Sequence, residues 1–165
     1  MEAVSKTFHA SIDNGVKIIT GSLILFALLF IGGILLFSPN EIKFFLCLIN
    51  TPLLLIVFFA WLYSPVSYTV SGGDVIINRK IGNVYLHIKD WENVRPVSEH
   101  ELGRVWRMAG NGGLFGYTGW FSTSLGKMRW YVRQRKNYIL ITGKKGNKFL
   151  ISPNDPDAFM QAIAL

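Results

Sequence analysis

Two uncharged apolar runs stand almost back to back near the start of the sequence, Ile18 to Phe37 and Phe44 to Tyr63, with only Ser38 to Lys43 between them. Each is twenty residues long, and twenty residues of helix rise about 30 Å, the thickness of a bilayer's hydrocarbon core. Hydrocarbon offers no hydrogen-bond partners, so an isolated pair of spans has to satisfy its backbone internally, as helices. The sequence therefore predicts a two-span helical hairpin over residues 16–65, integral to a lipid bilayer. A polar arm, 1–15, precedes it and one domain, 66–165, follows it. A cleaved leader fits poorly: the first run is too long, no small-x-small site follows, and the second run comes at once.

Neither run contains Asp, Glu, Lys, Arg or His, so the pattern predicts an anchor rather than an ion or proton path. Gly32-Gly33 is expected where the two helices approach closely. Asn50, beside Pro52, is the candidate interhelical contact, since an amide in lipid seeks a hydrogen bond worth about 1 kcal/mol. Cys47 is the single cysteine and lies in the second run, which leaves no disulfide framework.

Up to Pro65, Lys6, Lys17 and Lys43 balance Glu2, Asp13 and Glu41, so the formal charge of +7 belongs to the last hundred residues. Beside an anionic membrane surface each Lys or Arg is worth about 1 kcal/mol, although basic residues equally serve as an ordinary solvated face. Lys6, Lys17, Arg79 and Lys80 flank the hairpin, against Lys43 alone in its turn. That imbalance predicts both termini in the cytoplasm. Nucleic acid is not expected as a partner of a membrane-tethered domain.

Beyond Pro65 the pattern changes to alternation with period two. VSYTV, DVIINRK and VYLHI read as short strands joined by tight turns, and IKDWENVRPV as a further extended piece. YILIT and KFLIS, around GKKGN, form the clearest hairpin. Asp155-Pro156 then starts a short helix through Ile163. In the arm, Lys6, Phe8, Ala10 and Ile12 alternate with polar residues, over too short a stretch to separate a strand from an interfacial segment. Many strands with one terminal helix predict an antiparallel sandwich or open barrel capped by that helix.

The stretch from Ala109 to Phe121 interleaves five glycines with Leu114, Phe115, Tyr117, Trp120 and Phe121. It lacks the G-K-[ST] of a phosphate loop and opens no helix. Turn-forming glycines among core aromatics, or a tip at Leu114 and Phe115 that dips into lipid, are the remaining readings. Lys127 to Lys136, read as a strand, places Arg129, Arg133 and Arg135 on one face at about 7 Å spacing. Bidentate guanidinium forks at that spacing suit phosphates. With Lys144 and Lys145 in the hairpin turn, these are the candidate anionic-lipid or partner contacts. His9, His87 and His100 sit in unrelated contexts, and no strained G-x-S-x-G elbow is present. No catalytic, metal or cofactor residue is predicted, and no small-molecule substrate.

With GNGGLFGYTGWF (Gly110 to Phe121), YILIT and FLISPNDPDAFMQAI (Phe149 to Ile163) in view, the chain from Tyr68 onward resembles the bacterial pleckstrin-homology-like (PH) domains found beside one or two membrane spans. The resemblance implies two orthogonal antiparallel sheets of about seven strands, a C-terminal helix plugging one open end, and a place in the bacterial inner membrane. Eukaryotic relatives often bind phosphoinositides through basic residues between the first two strands. Here that turn is Ser71-Gly72-Gly73-Asp74, without a basic residue. The resulting expectation is a non-catalytic protein-binding, scaffolding or self-association module at the cytoplasmic face; the alternative is an anionic-lipid sensor.

Overall fold

The computed structural model describes residues 5–164, with Cys47 described by its backbone only. Met1 to Val4 of the expected arm and Leu165 lie outside the described residues. Helices α1 (Asn14–Phe37) and α2 (Asn40–Tyr63) form the hairpin. Asp13 caps α1, its Oδ1 accepting the Val16 N–H at 2.7 Å, and Ser38-Pro39 turns the chain before α2. The helices carry mean hydropathies of 2.6 and 2.3, and only 17% and 6% of these apolar windows is covered by the rest of the chain. Such coverage does not describe the core helices of a globular domain. By length and composition both helices can cross a membrane.

Packing inside the hairpin differs from the sequence expectation. A Cβ at Gly32 or Gly33 would meet nothing within 4 Å, so the close approach is not there. The buried hairpin residues include Ala27 and Ile34 on α1 and Asn50 on α2. The Asn50 amide donates to the Leu46 carbonyl one turn back in its own helix, at 2.9 Å, rather than to α1. A carbonyl of its own turn is already in place when the helix forms, whereas a partner on α1 has to be brought to it.

The remainder is mainly β. Strands β1 (Lys6–His9), β2 (Pro65–Ser71), β3 (Asp74–Arg79) and β4 (Val84–His87) form one antiparallel sheet in that order. Strands β5 (Trp91–Val97), β6 (Trp106–Gly112), β7 (Tyr117–Thr123), β8 (Gly126–Val132), β9 (Tyr138–Gly143) and β10 (Lys148–Ile151) form the second, in the order β5-β9-β10-β8-β7-β6. The β10–β8 pair is parallel. A single-turn helix α3 (Glu99–Leu102) joins β5 to β6, and α4 (Pro156–Ile163) closes the chain.

Between the sheets lie Tyr68, Val75, Ile77, Ile139, Ile141 and Ile151, with Phe159 of α4 plugging the stack. The other face of the six-stranded sheet buries Met128, Trp130, Val132, Leu140 and Leu150 against Val97, Leu102 and, from the first turn of α1, Val16. Trp130 stacks on Phe121 with ring centroids 4.4 Å apart.

Among the described residues ten strands stand where the resemblance implies about seven. The arm supplies one: β1 pairs antiparallel with β2, Phe8 opposite Tyr68, and Phe8 packs edge-on against Phe159 at 5.2 Å. The glycine-rich stretch supplies β6 and β7, where Gly110 and Gly119 face each other in register. Both have positive φ, and a Cβ on either would fall within 2.3 Å of a carbonyl across the pair. Only glycine allows these two strands to meet.

Candidate functional site

The helices meet the β domain through its loops. Thr20 of α1 accepts the Phe115 N–H at 3.0 Å and donates to the Gly113 carbonyl at 3.4 Å. Ser64, the one residue between α2 and β2, donates to the Phe115 carbonyl at 2.6 Å. The β6–β7 tip, Gly113 to Gly116, is thus held by both helices. The β3–β4 turn leans on the end of α2: Lys80 lies over the Trp61 ring at 4.3 Å, Arg79 over Tyr63 at 5.4 Å, and the Ile81 N–H donates to the Leu62 carbonyl at 3.4 Å.

Between these two attachments is a crevice of about 530 Å³. Leu55, Ile56 and Phe59 of α2 line it on one side, with Gly110 and Gly119 and a polar rim of Arg79, Arg107 and Arg129; the Arg107 guanidinium lies against Gly112 and also borders the neighbouring cavity. None of the residues lining it is acidic. The ion pairs among the described residues are Asp74–His87 and Arg95–Glu101, and neither includes a rim arginine. Arg129 lies over Trp120 at 5.9 Å and over Tyr131 at 5.4 Å, and Arg79 gives Nε and Nη2 to the Gly82 carbonyl.

Tyr131 also lines the crevice. It is 2% exposed, and its hydroxyl has no hydrogen-bond partner among the described residues. Such a group costs about 1–3 kcal/mol. Burial raises the Tyr131 pKa while the Arg129 and Arg79 charges pull it down. Burial also lowers the Arg79 pKa, yet a guanidinium remains charged at neutral pH. Three arginines and a buried, unmet hydroxyl thus lie beside an apolar helix in a crevice with no acidic lining residue.

The basic run does not act as one face. β8 ends at Val132 because the Ser152 hydroxyl accepts the N–H groups of Arg133 and Gln134, at 2.9 and 3.3 Å. Arg129 alone reaches the crevice. Arg133 is half-buried and donates through Nη1 to the carbonyls of Ala10 and Val66, at 3.1 and 3.4 Å, tying the arm to β2. Arg135 lies over Tyr117 at 5.0 Å, beside a separate cavity of about 250 Å³. Lys144 and Lys145 border a cavity of about 340 Å³ with His87, at the far end of β4, and Lys144 Nζ donates to the Lys89 carbonyl at 2.7 Å. Arg79 and Arg107 were not candidates by spacing. The available signals were Arg79's place close after Trp61 and Tyr63, and Arg107's just before the glycine run.

A family model described as "Bacterial PH domain" matches residues 66–164. The chain belongs to that family. The match begins within β2 and ends just past α4, so it takes in both sheets apart from β1 and the first residue of β2. PH domains are generally non-catalytic modules. The search of curated proteins finds no match, and neither does the search of solved structures. In this PH domain the turn between β2 and β3, Ser71 to Asp74, offers Asp74 paired with His87 at 2.6 Å, not a basic cluster.

Proposed function

We propose that this bacterial PH-domain protein is a non-catalytic module, anchored in the inner membrane by α1 and α2, that holds an anionic amphiphile from the surrounding lipid in the crevice beside α2. The observation that carries the reading is the convergence of Arg79, Arg107 and Arg129, with no lining carboxylate, on a cavity whose opposite wall is an apolar helix. The apolar portion of the ligand lies along Leu55, Ile56 and Phe59 and its charge meets the guanidinium groups. In this topology both flanks of the hairpin lie on one side of the membrane, the cytoplasmic side by the excess of Lys6, Lys17, Arg79 and Lys80 over Lys43. Its support is the β1–β2 pairing, which keeps the residues before α1 and after α2 together, and the Trp61 and Tyr63 rings under Lys80 and Arg79, the side chains expected at a membrane interface.

Photo-crosslinking with an anionic phospholipid probe, on the full chain in liposomes, tests this. Label is expected on α2 near Phe59 and on β6–β8, fading with salt and falling severalfold in an Arg107→Gln/Arg129→Gln double variant. Label that ignores lipid charge overturns the reading. One observation favours the docking or self-association role instead: β6 is an outer strand exposing Trp106 (64%) and Met108. Crosslinking of the full chain in membranes, followed by mass spectrometry, decides that role by whether β6 peptides are joined to another polypeptide.

A further inference from the structure

Resting on the crevice reading, we propose that its ligand is a lipid ending in a phosphate monoester, and that an anionic phosphodiester lipid is held less tightly. The argument is one of charge and of which partners are missing. A phosphodiester carries one negative charge and an alcohol substituent. A terminal phosphate carries about 1.5 to 2 charges at neutral pH, with three acceptor oxygens. The rim offers three guanidinium groups with no lining acid to offset them, an excess that a single negative charge leaves largely unmatched.

A headgroup alcohol or amine finds little to bind. Beyond the arginines and Tyr131, the polar side chains at the crevice are Tyr63, already under the Arg79 guanidinium, Asn111 and Thr118. Asn111 is already committed: its Oδ1 accepts the Leu114 N–H at 2.9 Å and its Nδ2 donates to the Leu114 carbonyl. An ammonium headgroup meets three like charges and no lining carboxylate. The Tyr131 hydroxyl is unpartnered among the described residues and covered; it donates to a phosphate oxygen once a bound ligand parts the side chains over it. Gly110 and Gly119 place no side chain between the anion and the strands.

The test compares phosphatidic acid with phosphatidylglycerol, each diluted in phosphatidylcholine nanodiscs holding the full chain, with soluble glycerol phosphate as a third arm. Preference for the monoester is expected to be about tenfold near pH 8, one extra charge-assisted contact. It shrinks toward pH 5 as the phosphate takes up its second proton near a pKa of about 6. Tyr131→Phe, which preserves shape, is expected to lower that preference, and Arg129→Gln to remove most of it. Equal affinity for both lipids, each still dependent on Arg107 and Arg129, overturns the monoester proposal and leaves the crevice reading standing. No charge-dependent binding of either lipid overturns both. Glycerol phosphate binding as tightly as phosphatidic acid overturns the lipid source.

Discussion

Replacing Tyr68 with Phe removes one oxygen from the place where the two sheets are joined. The Tyr68 hydroxyl donates to the Tyr131 carbonyl at 2.6 Å and accepts the Ser152 N–H at 3.2 Å, and all three residues are buried. Two net hydrogen bonds of about 1 kcal/mol each, plus the cost of leaving two buried groups unmet, give a loss of about 2–4 kcal/mol at neutral pH. Burial also pushes the Tyr68 hydroxyl up from 10.0 to about 12. An unfolded chain therefore releases this proton first. The contribution of the neutral hydroxyl is complete below about pH 10 and is lost as pH rises to about 12, in all about 3 kcal/mol.

Phe has no proton to lose, so the gap between wild type and variant should be widest near pH 8 and close across that window. Tyr117, Tyr131 and Tyr138 are raised in the same direction, chiefly by burial, but they act on both proteins and cancel in the difference. The measurement is the thermal midpoint of the full chain in detergent micelles, followed by near-ultraviolet circular dichroism, since α1 and α2 keep their far-ultraviolet signal in detergent. A variant as stable as wild type near pH 8, or a gap that does not change with pH, refutes the role assigned to this hydroxyl.

Gly119→Ala would place a Cβ 2.2 Å from the Ala109 carbonyl oxygen, on backbone with φ +130°; the expected cost is about 3 kcal/mol or more, and an unchanged thermal midpoint would contradict the close approach of β6 and β7. Arg133→Met releases the Ala10 and Val66 carbonyls, with an expected loss of about 1–3 kcal/mol and faster amide exchange along β1. Anionic-lipid crosslinking should stay as in wild type, and a drop matching that of the Arg107/Arg129 double variant would show that Arg133 belongs to the binding site.

The legible parts of the fold are those where local chemistry decides the structure. β2, β3 and β4 alternate between turn residues, β9 and β10 are short apolar runs on either side of the GKKGN turn, and Asp155 caps α4 by accepting the Ala158 N–H at 2.9 Å, as the Asp-Pro pair indicates. β6 and β7 escaped because glycines erase the alternation. α3 is marked in the sequence by Ser98 and Glu101, which make a full capping box, but its four residues are too few to show a helical period. β1 is only four residues long, and the strand it pairs with lies beyond both helices. The crevice was the least legible feature. Arg79, Arg107 and Arg129 come from three strands, and they converge because the β3–β4 turn rests on α2 while β7 carries β6 and β8 on its two sides. The expected single face of Arg129, Arg133 and Arg135 depended on a strand that continued past Val132, where the Ser152 hydroxyl ends it.

The short connection between helix and sheet fixes which end of the β domain faces the hairpin. A PH domain on a long tether could turn any of its mouths toward a bilayer. Here Ser64 alone separates α2 from β2, Val16 of α1 is fully buried in the β core, and Thr20 and Ser64 both grip the β6–β7 tip. Rotation of the domain against the hairpin would break all of these at once. β2 runs seven residues away from α2, about 23 Å, before it reaches the Ser71 to Asp74 turn, the mouth that related domains turn toward headgroups. That distance carries the turn out of the interface, which is consistent with its Asp74–His87 pair in place of cations. The crevice against α2 stays at the level of Phe59 and Tyr63 as long as these contacts hold, so the lipid proposed above would reach this protein beside the helix.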